Sequence, residues 1–88
     1  MPEVLDSLSI TSELIRAARA LLRWEQRDLA NASGVSLPTI KRLESAPGTL
    51  AAHSSTVTAL RRALESAGIE FTNGNGPGVR LKAPGQIQ

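Results

Sequence analysis

Residues 26–44 read QRDLANASGVSLPTIKRLE, and they contain the clearest signals for helix ends and turns in the chain. Helical spacing ends near Ser33, and Gly34 follows where a helix can stop in the left-handed conformation that glycine adopts without steric cost. Ser36 can cap a new helix through its hydroxyl, and Pro38 falls in the first turn, where a missing N–H is harmless. The stretch therefore predicts two short helices joined by a tight turn, a helix-turn-helix.

Further helices are predicted on both sides of this motif. Thr11 is a good N-cap for a first helix, in which apolar residues recur at helical spacing. A loop with a Pro-Gly pair is predicted over 45–54, and a fourth helix follows from about Ser55 to a C-cap at Gly68. We expect these helices to form one domain over 11–68.

The periodicity changes after this domain. Apolar and polar residues alternate on both sides of the turn sequence TNGNGPG, which predicts a β-hairpin over 69–82. A lone hairpin is unstable, so it must pack on the helices or pair with another chain. We expect an apolar face of the hairpin to form a dimer interface, with the alternative that it covers the core of the monomer. The predicted interface residues are Ile69, Phe71, Val79 and Leu81.

Composition narrows the class of protein. Eighty-eight residues allow one domain, and 41% hydrophobic residues with 2% aromatic residues imply a small aliphatic core that favours dimerisation. The chain has no cysteine and no visible signal peptide or membrane-spanning run, which is typical of a cytoplasmic protein. Residues 1–10 are expected to form a flexible arm and residues 83–88 a disordered tail.

The charge and the titratable residues limit the function. A net charge of +2 permits nucleic acid as a partner without requiring it. The single histidine, His53, cannot form a metal site or a catalytic dyad, and no nucleophile–base set or phosphate loop is visible. We therefore expect neither an enzyme nor a bound metal or cofactor.

Several groups of residues occur together at a characteristic spacing. They are Arg19, Trp24-Glu25-Gln26, Leu29-Ala30, Gly34-Val35-Ser36 and Thr39-Ile40-Lys41-Arg42-Leu43-Glu44. In these residues the chain resembles the lambda-repressor-like helix-turn-helix family, also called Cro/CI or XRE, in its short single-domain bacterial form. The resemblance covers residues 11–68, and the hairpin ending GPGVRL extends it. It implies a mainly α domain of four to five helices with a C-terminal β-hairpin.

The resemblance also implies roles for individual residues. Arg19 and Glu44 would form an ion pair between the first and third helices. The residues implied to contact DNA phosphates are Gln26, Arg27, Ser36 and Thr39. Those implied to contact base edges are Leu37, Pro38, Lys41 and Arg42. Leucine and proline can pack on a thymine methyl but cannot make bidentate hydrogen bonds, so direct readout would fall on Lys41 and Arg42.

These roles imply a transcriptional regulator, most readily a repressor, in the bacterial cytoplasm and associated with the nucleoid. A homodimer would place two copies of the third helix in successive major grooves of double-stranded DNA, about 34 Å apart, on an inverted repeat. The alternative is an adaptor or antiactivator, or an antitoxin-like partner, that uses the same fold to bind a protein. The apolar Leu37-Pro38 pair and the absence of cations over 45–52 motivate that alternative.

Overall fold

The computed structural model describes residues 10–73 and 76–82, which form four helices followed by a two-stranded antiparallel sheet. Its mainly helical character and its C-terminal hairpin confirm the coarse fold prediction. The elements are α1 (Ser12–Leu22), α2 (Gln26–Ser33), α3 (Leu37–Ser45), α4 (Ser54–Ser66), β1 (Ile69–Thr72) and β2 (Gly78–Leu81).

The ends of the first three helices follow local sequence signals. The Thr11 hydroxyl accepts the N–H of Leu14 at 3.1 Å, and the Ser36 hydroxyl accepts the N–H of Thr39 at 3.3 Å. Gly34 closes α2 with a φ of 80°, and its N–H donates to a carbonyl oxygen of the preceding turn. The three predicted boundaries are therefore confirmed, and the turn between α2 and α3 is only three residues long.

The loop after α3 is shorter than predicted. Helix α3 continues to Ser45, and α4 begins at Ser54, so the loop covers 46–53 instead of 45–54. The carbonyl oxygen of His53 accepts the N–H groups of Thr56 and Val57, which makes His53 the residue before the helix. Serines follow in succession at 54 and 55, and the sequence pattern does not distinguish them as helix starts.

The core lies between all four helices and the hairpin. Its buried residues are aliphatic and are Ile10, Ile15, Ala18, Leu29, Ile40, Leu43, Leu50, Val57, Leu60, Leu64 and Ile69. Trp24 and Val35 are half-buried against this cluster. Leu21 belongs to the apolar pattern of α1, yet it is 42% exposed because it lies outside the buried stripe.

The prediction of a flexible N-terminal arm over 1–10 is wrong at its last residue, Ile10. Its side chain is 3% exposed, and its carbonyl oxygen accepts the N–H of Leu50 at 3.2 Å. The neighbouring Thr11 pairs with Thr49 in an antiparallel bridge. Residue 10 is thus held against the loop before α4, while the arm over 1–9 and the tail over 83–88 lie outside the described residues.

The hairpin packs on the helices of its own chain. Strand β1 contacts α4, β2 contacts α1, and the register pairs Ile69 with Leu81 and Phe71 with Val79. Ile69 is 1% exposed, so its predicted place in a dimer interface is wrong: the monomer already covers it. Phe71 and Val79 are half-buried, and Leu81 is 43% exposed.

The longest described helix, α4, has 13 residues. Neither it nor any other helix within 10–73 and 76–82 combines the length and the apolar character needed to cross a bilayer.

Candidate nucleic-acid interface

The outer face of α3 is the centre of the candidate interface. Ile40 and Leu43 are buried and fix the rotation of the helix. Pro38, Lys41 and Arg42 are exposed, and their spacing of three and four residues puts them on one face of the helix. The rotation that buries the apolar side of α3 therefore presents these three residues to solvent together.

Three exposed cations of α2 and α3 make no ion pair with a described residue. Within the described ranges, no carboxylate lies within ion-pairing distance of Lys41, Arg42 or Arg27, whereas the ion pairs of the domain involve Arg16, Arg19, Arg61 and Arg80. Arg27 is exposed in the first turn of α2. The positive charge of these three side chains is thus available to an anionic ligand.

Ser36 and Thr39 are joined by a hydrogen bond at the start of α3. The Ser36 hydroxyl donates to the Thr39 hydroxyl oxygen at 2.9 Å while it accepts the Thr39 backbone N–H. One hydroxyl proton is used in this bond, and the other hydroxyl of the pair can donate to a ligand.

Leu37 and Pro38 form the apolar start of the same helix. Leu37 is half-buried and Pro38 is exposed. The structure therefore gives the two apolar positions different accessibility, and only Pro38 shares the exposed face of Lys41 and Arg42.

Gln26 begins α2 and is held by α3. Its side-chain amide donates to Glu44 Oε1 at 3.0 Å. Arg19 holds the same carboxylate, with Nη2 donating to Oε1 at 2.7 Å and Nε donating to Oε2 at 2.8 Å. The expected Arg19–Glu44 ion pair is present, and it includes Gln26, which the sequence reasoning had assigned to phosphate alone.

A cleft of about 560 Å³ opens between α3 and the start of α4. It is lined by Thr39, Arg42, Ala51, Ala52, His53 and Thr56. His53, at the end of the loop over 46–53, is exposed, and it lines this cleft together with Arg42. No sequence signal at helical spacing links these two residues.

Acidic residues limit the charge of the surface near α2. The Asp28 carboxylate accepts the backbone N–H of Glu25 at 2.8 Å, and both side chains are exposed. They are favourable for the positive end of the α2 dipole. They also repel an anion that approaches this helix end directly, so an anionic ligand is best accommodated from the side of Gln26 and α3.

The arrangement can bind an anionic surface and read a polar edge, and it has the chemistry of a binding site. Arg42 offers a planar guanidinium for bidentate contacts, and Lys41 offers a compact charge. Among the described residues no cluster of three potential metal ligands occurs. The chain matches no protein-family model, and it has no significant match among curated proteins.

Proposed function

We propose that this protein is a sequence-specific DNA-binding regulator of transcription, a homodimeric repressor that inserts α3 into the major groove. It acts by binding, without catalysis and without a cofactor. The observation that carries the proposal is the exposed face of α3, on which Lys41 and Arg42 make no ion pair with any described residue. An Arg or Lys side chain at this place is suited to the O6 and N7 atoms of guanine.

Phosphate contacts would flank this face on two sides. Gln26 and Arg27 stand at the start of α2, and a phosphate would reach them from the side of α3. Thr39 and His53 line the cleft beside α4. Gln26 and Thr39 carry no charge, so binding would depend on salt less steeply than in a regulator that uses many cations.

Dimerisation would use the free edge of β2. The N–H of Lys82 donates to the carbonyl oxygen of Gly68 at 2.9 Å. Gly68 and Lys82 are therefore a hydrogen-bonded pair of the antiparallel ladder, as opposed to a non-hydrogen-bonded pair. Because hydrogen-bonded pairs alternate in an antiparallel ladder, the N–H and C=O groups of Val79 and Leu81 point away from β1. A second copy could pair with them about a two-fold axis.

The dimensions of the domain suit this assembly. Its principal extents are 33 × 30 × 19 Å. Two copies that meet along either longer dimension would have centres about one helical turn of DNA apart, whereas contact along the 19 Å dimension would bring them too close for successive major grooves.

Selection from random double-stranded DNA, followed by titration of the selected sequence, tests the proposal. Arg42→Ala should weaken binding by about 1–3 kcal/mol and relax the preference at one base pair. The control is Arg62→Ala, which removes the same charge from the exposed part of α4. Equal losses for both variants, or no selected sequence at all, would overturn the proposal.

A second candidate function is a protein-binding adaptor or antiactivator. It is favoured by the exposed Pro38 beside Leu37 and by a loop over 46–52 without a cation. An apolar helix tip of this kind fits a hydrophobic groove on another protein. Regulation that survives Arg42→Ala and Gln26→Ala but fails in Pro38→Asp would favour this function over DNA binding.

A further inference from the structure

We propose that Glu44 is a positioning residue for the phosphate contact of Gln26, an inference that rests on the proposed DNA-binding function. Glu44 lies near the end of α3, and its side chain is only 4% exposed, so it does not itself meet a ligand. Its carboxylate accepts a hydrogen bond from the Gln26 side-chain amide at 3.0 Å. Gln26 is the first residue of α2 and lies at the edge of the candidate interface.

The hydrogen bond fixes the direction of the Gln26 amide group. The group has two N–H donors in one plane, so that anchoring one of them on Glu44 sets where the other points. A glutamine side chain that is already ordered loses less rotational freedom when it binds. The remaining N–H of Gln26 is thus prepared to donate to a phosphate oxygen.

Arg19 makes this arrangement compatible with an anionic ligand. A lone carboxylate beside the interface would repel a phosphate. The Arg19 guanidinium offsets that charge through two hydrogen bonds to Glu44, at 2.7 and 2.8 Å. Because both carboxylate oxygens are held, the carboxylate cannot rotate away from Gln26.

The same network aligns the two helices that would contact DNA. Arg19 Nη1 donates to the carbonyl oxygen of Trp24 at 2.9 Å, in the segment that leads into α2. Arg19 therefore binds the approach to α2 through Trp24 and the end of α3 through Glu44. The start of α2, which would contact phosphate, is held in register with α3, which would contact bases.

A double-mutant cycle separates positioning from a purely structural role. Glu44→Gln should weaken binding to the selected DNA by about fivefold when residue 26 is glutamine. In a Gln26→Ala background, the same change should weaken binding by a clearly smaller factor, because only the alignment of α2 with α3 is then disturbed. The control is Glu65→Gln, which removes an exposed carboxylate paired with Arg61 on α4 and should have no effect in either background.

A measurement without DNA tests the hydrogen bond itself. In the free wild-type protein, the side-chain amide protons of Gln26 should exchange with solvent more slowly than those of a free glutamine. Glu44→Gln should reduce this protection, because a neutral amide oxygen is a weaker acceptor than a carboxylate, and Glu65→Gln should leave it unchanged. If Glu44→Gln does not fold, Arg19→Lys replaces it, because a single ammonium cannot hold both carboxylate oxygens in the same geometry.

The outcomes are distinguishable. If DNA binding is tight but Glu44→Gln has the same effect in both backgrounds, or no effect in either, the positioning role is wrong and the DNA-binding function stands. An unprotected Gln26 amide in the wild-type protein also overturns the positioning role. If no DNA sequence binds, the proposed function fails and the inference fails with it.

Discussion

Arg19 and Glu44 form a two-point ion pair that joins α1 to α3, with N–O distances of 2.7 and 2.8 Å. The Glu44 side chain is 4% exposed and that of Arg19 is 18% exposed. Removing one partner would leave the other charge buried without compensation. The pair is therefore a sensitive point in the stability of the domain.

We expect Arg19→Met to lower the free energy of unfolding by about 3 kcal/mol. The control is Arg80→Met, because Arg80 also makes a close pair, with Glu70, but on an exposed face of the hairpin. That change should cost less than about 1 kcal/mol. Chemical denaturation gives the unfolding free energy of both variants. Similar losses of stability would contradict the conclusion that the Arg19 pair is buried and the Arg80 pair is exposed.

Gly34 is required by its backbone conformation, not by its surroundings. Its φ is 80°, and a Cβ placed there would meet no atom within 4 Å. Gly34→Ala should therefore cost about 1 kcal/mol from backbone strain alone. Gly34→Asn should cost less, because asparagine tolerates the left-handed region. Thermal unfolding of both variants tests this, and a larger loss for asparagine than for alanine would argue against it.

Stability should fall in acid partly through Glu13. Hydrogen bonds from its own backbone N–H and from that of Gly48 lower the pKa of the Glu13 carboxyl below its usual value. A lowered pKa in the folded state means that this stabilisation is complete above the ordinary glutamate pKa of about 4.3 and is lost as pH falls through the lower folded value.

Glu13→Gln should therefore reduce the dependence of unfolding free energy on pH in this acid range. Unfolding curves measured between neutral pH and about pH 3 provide the test. The paired Glu65, exposed on α4, gives a control in Glu65→Gln. If Glu13→Gln loses stability in acid as steeply as the wild-type protein, the hydrogen bond from Gly48 to Glu13 does not contribute to the pH dependence.

The exposed leucine of β2 should matter for assembly more than for folding. Leu81 is 43% exposed and points its backbone groups away from β1, so that Leu81→Asp should weaken the proposed dimer and leave the monomer folded. The control is Leu64→Ala at a fully buried site, which should cost about 2–5 kcal/mol of stability. Analytical ultracentrifugation measures the dimer and denaturation measures the stability of the fold. If Leu81→Asp leaves the dimer unaltered, the edge of β2 is not the dimer interface.

The sequence predicted the features that depend on local chemistry. The caps at Thr11 and Ser36 and the left-handed turn at Gly34 each follow from a residue and its immediate neighbours. The hairpin followed from the change of period after Gly68. The face of α3 followed from Ile40 and Leu43, which point the intervening residues outward.

Contacts between distant segments could not be predicted in this way. The hydrogen bond from Gln26 to Glu44 joins two helices, and the cleft of Arg42 and His53 depends on how the loop folds back. Ile69 was assigned to a dimer interface because alternation shows which residues share a face, not what covers it. Burial against α4 is a tertiary result that strand periodicity does not contain.

An NMR titration of the folded protein with its selected DNA tests the insertion of α3 into the major groove. We expect the largest backbone and side-chain shift changes at Gln26, Arg27 and residues 36–42, with Arg42 side-chain signals protected by a base contact. Shift changes confined to α1 and the hairpin, or none at the start of α3, would contradict the insertion of α3 into the major groove.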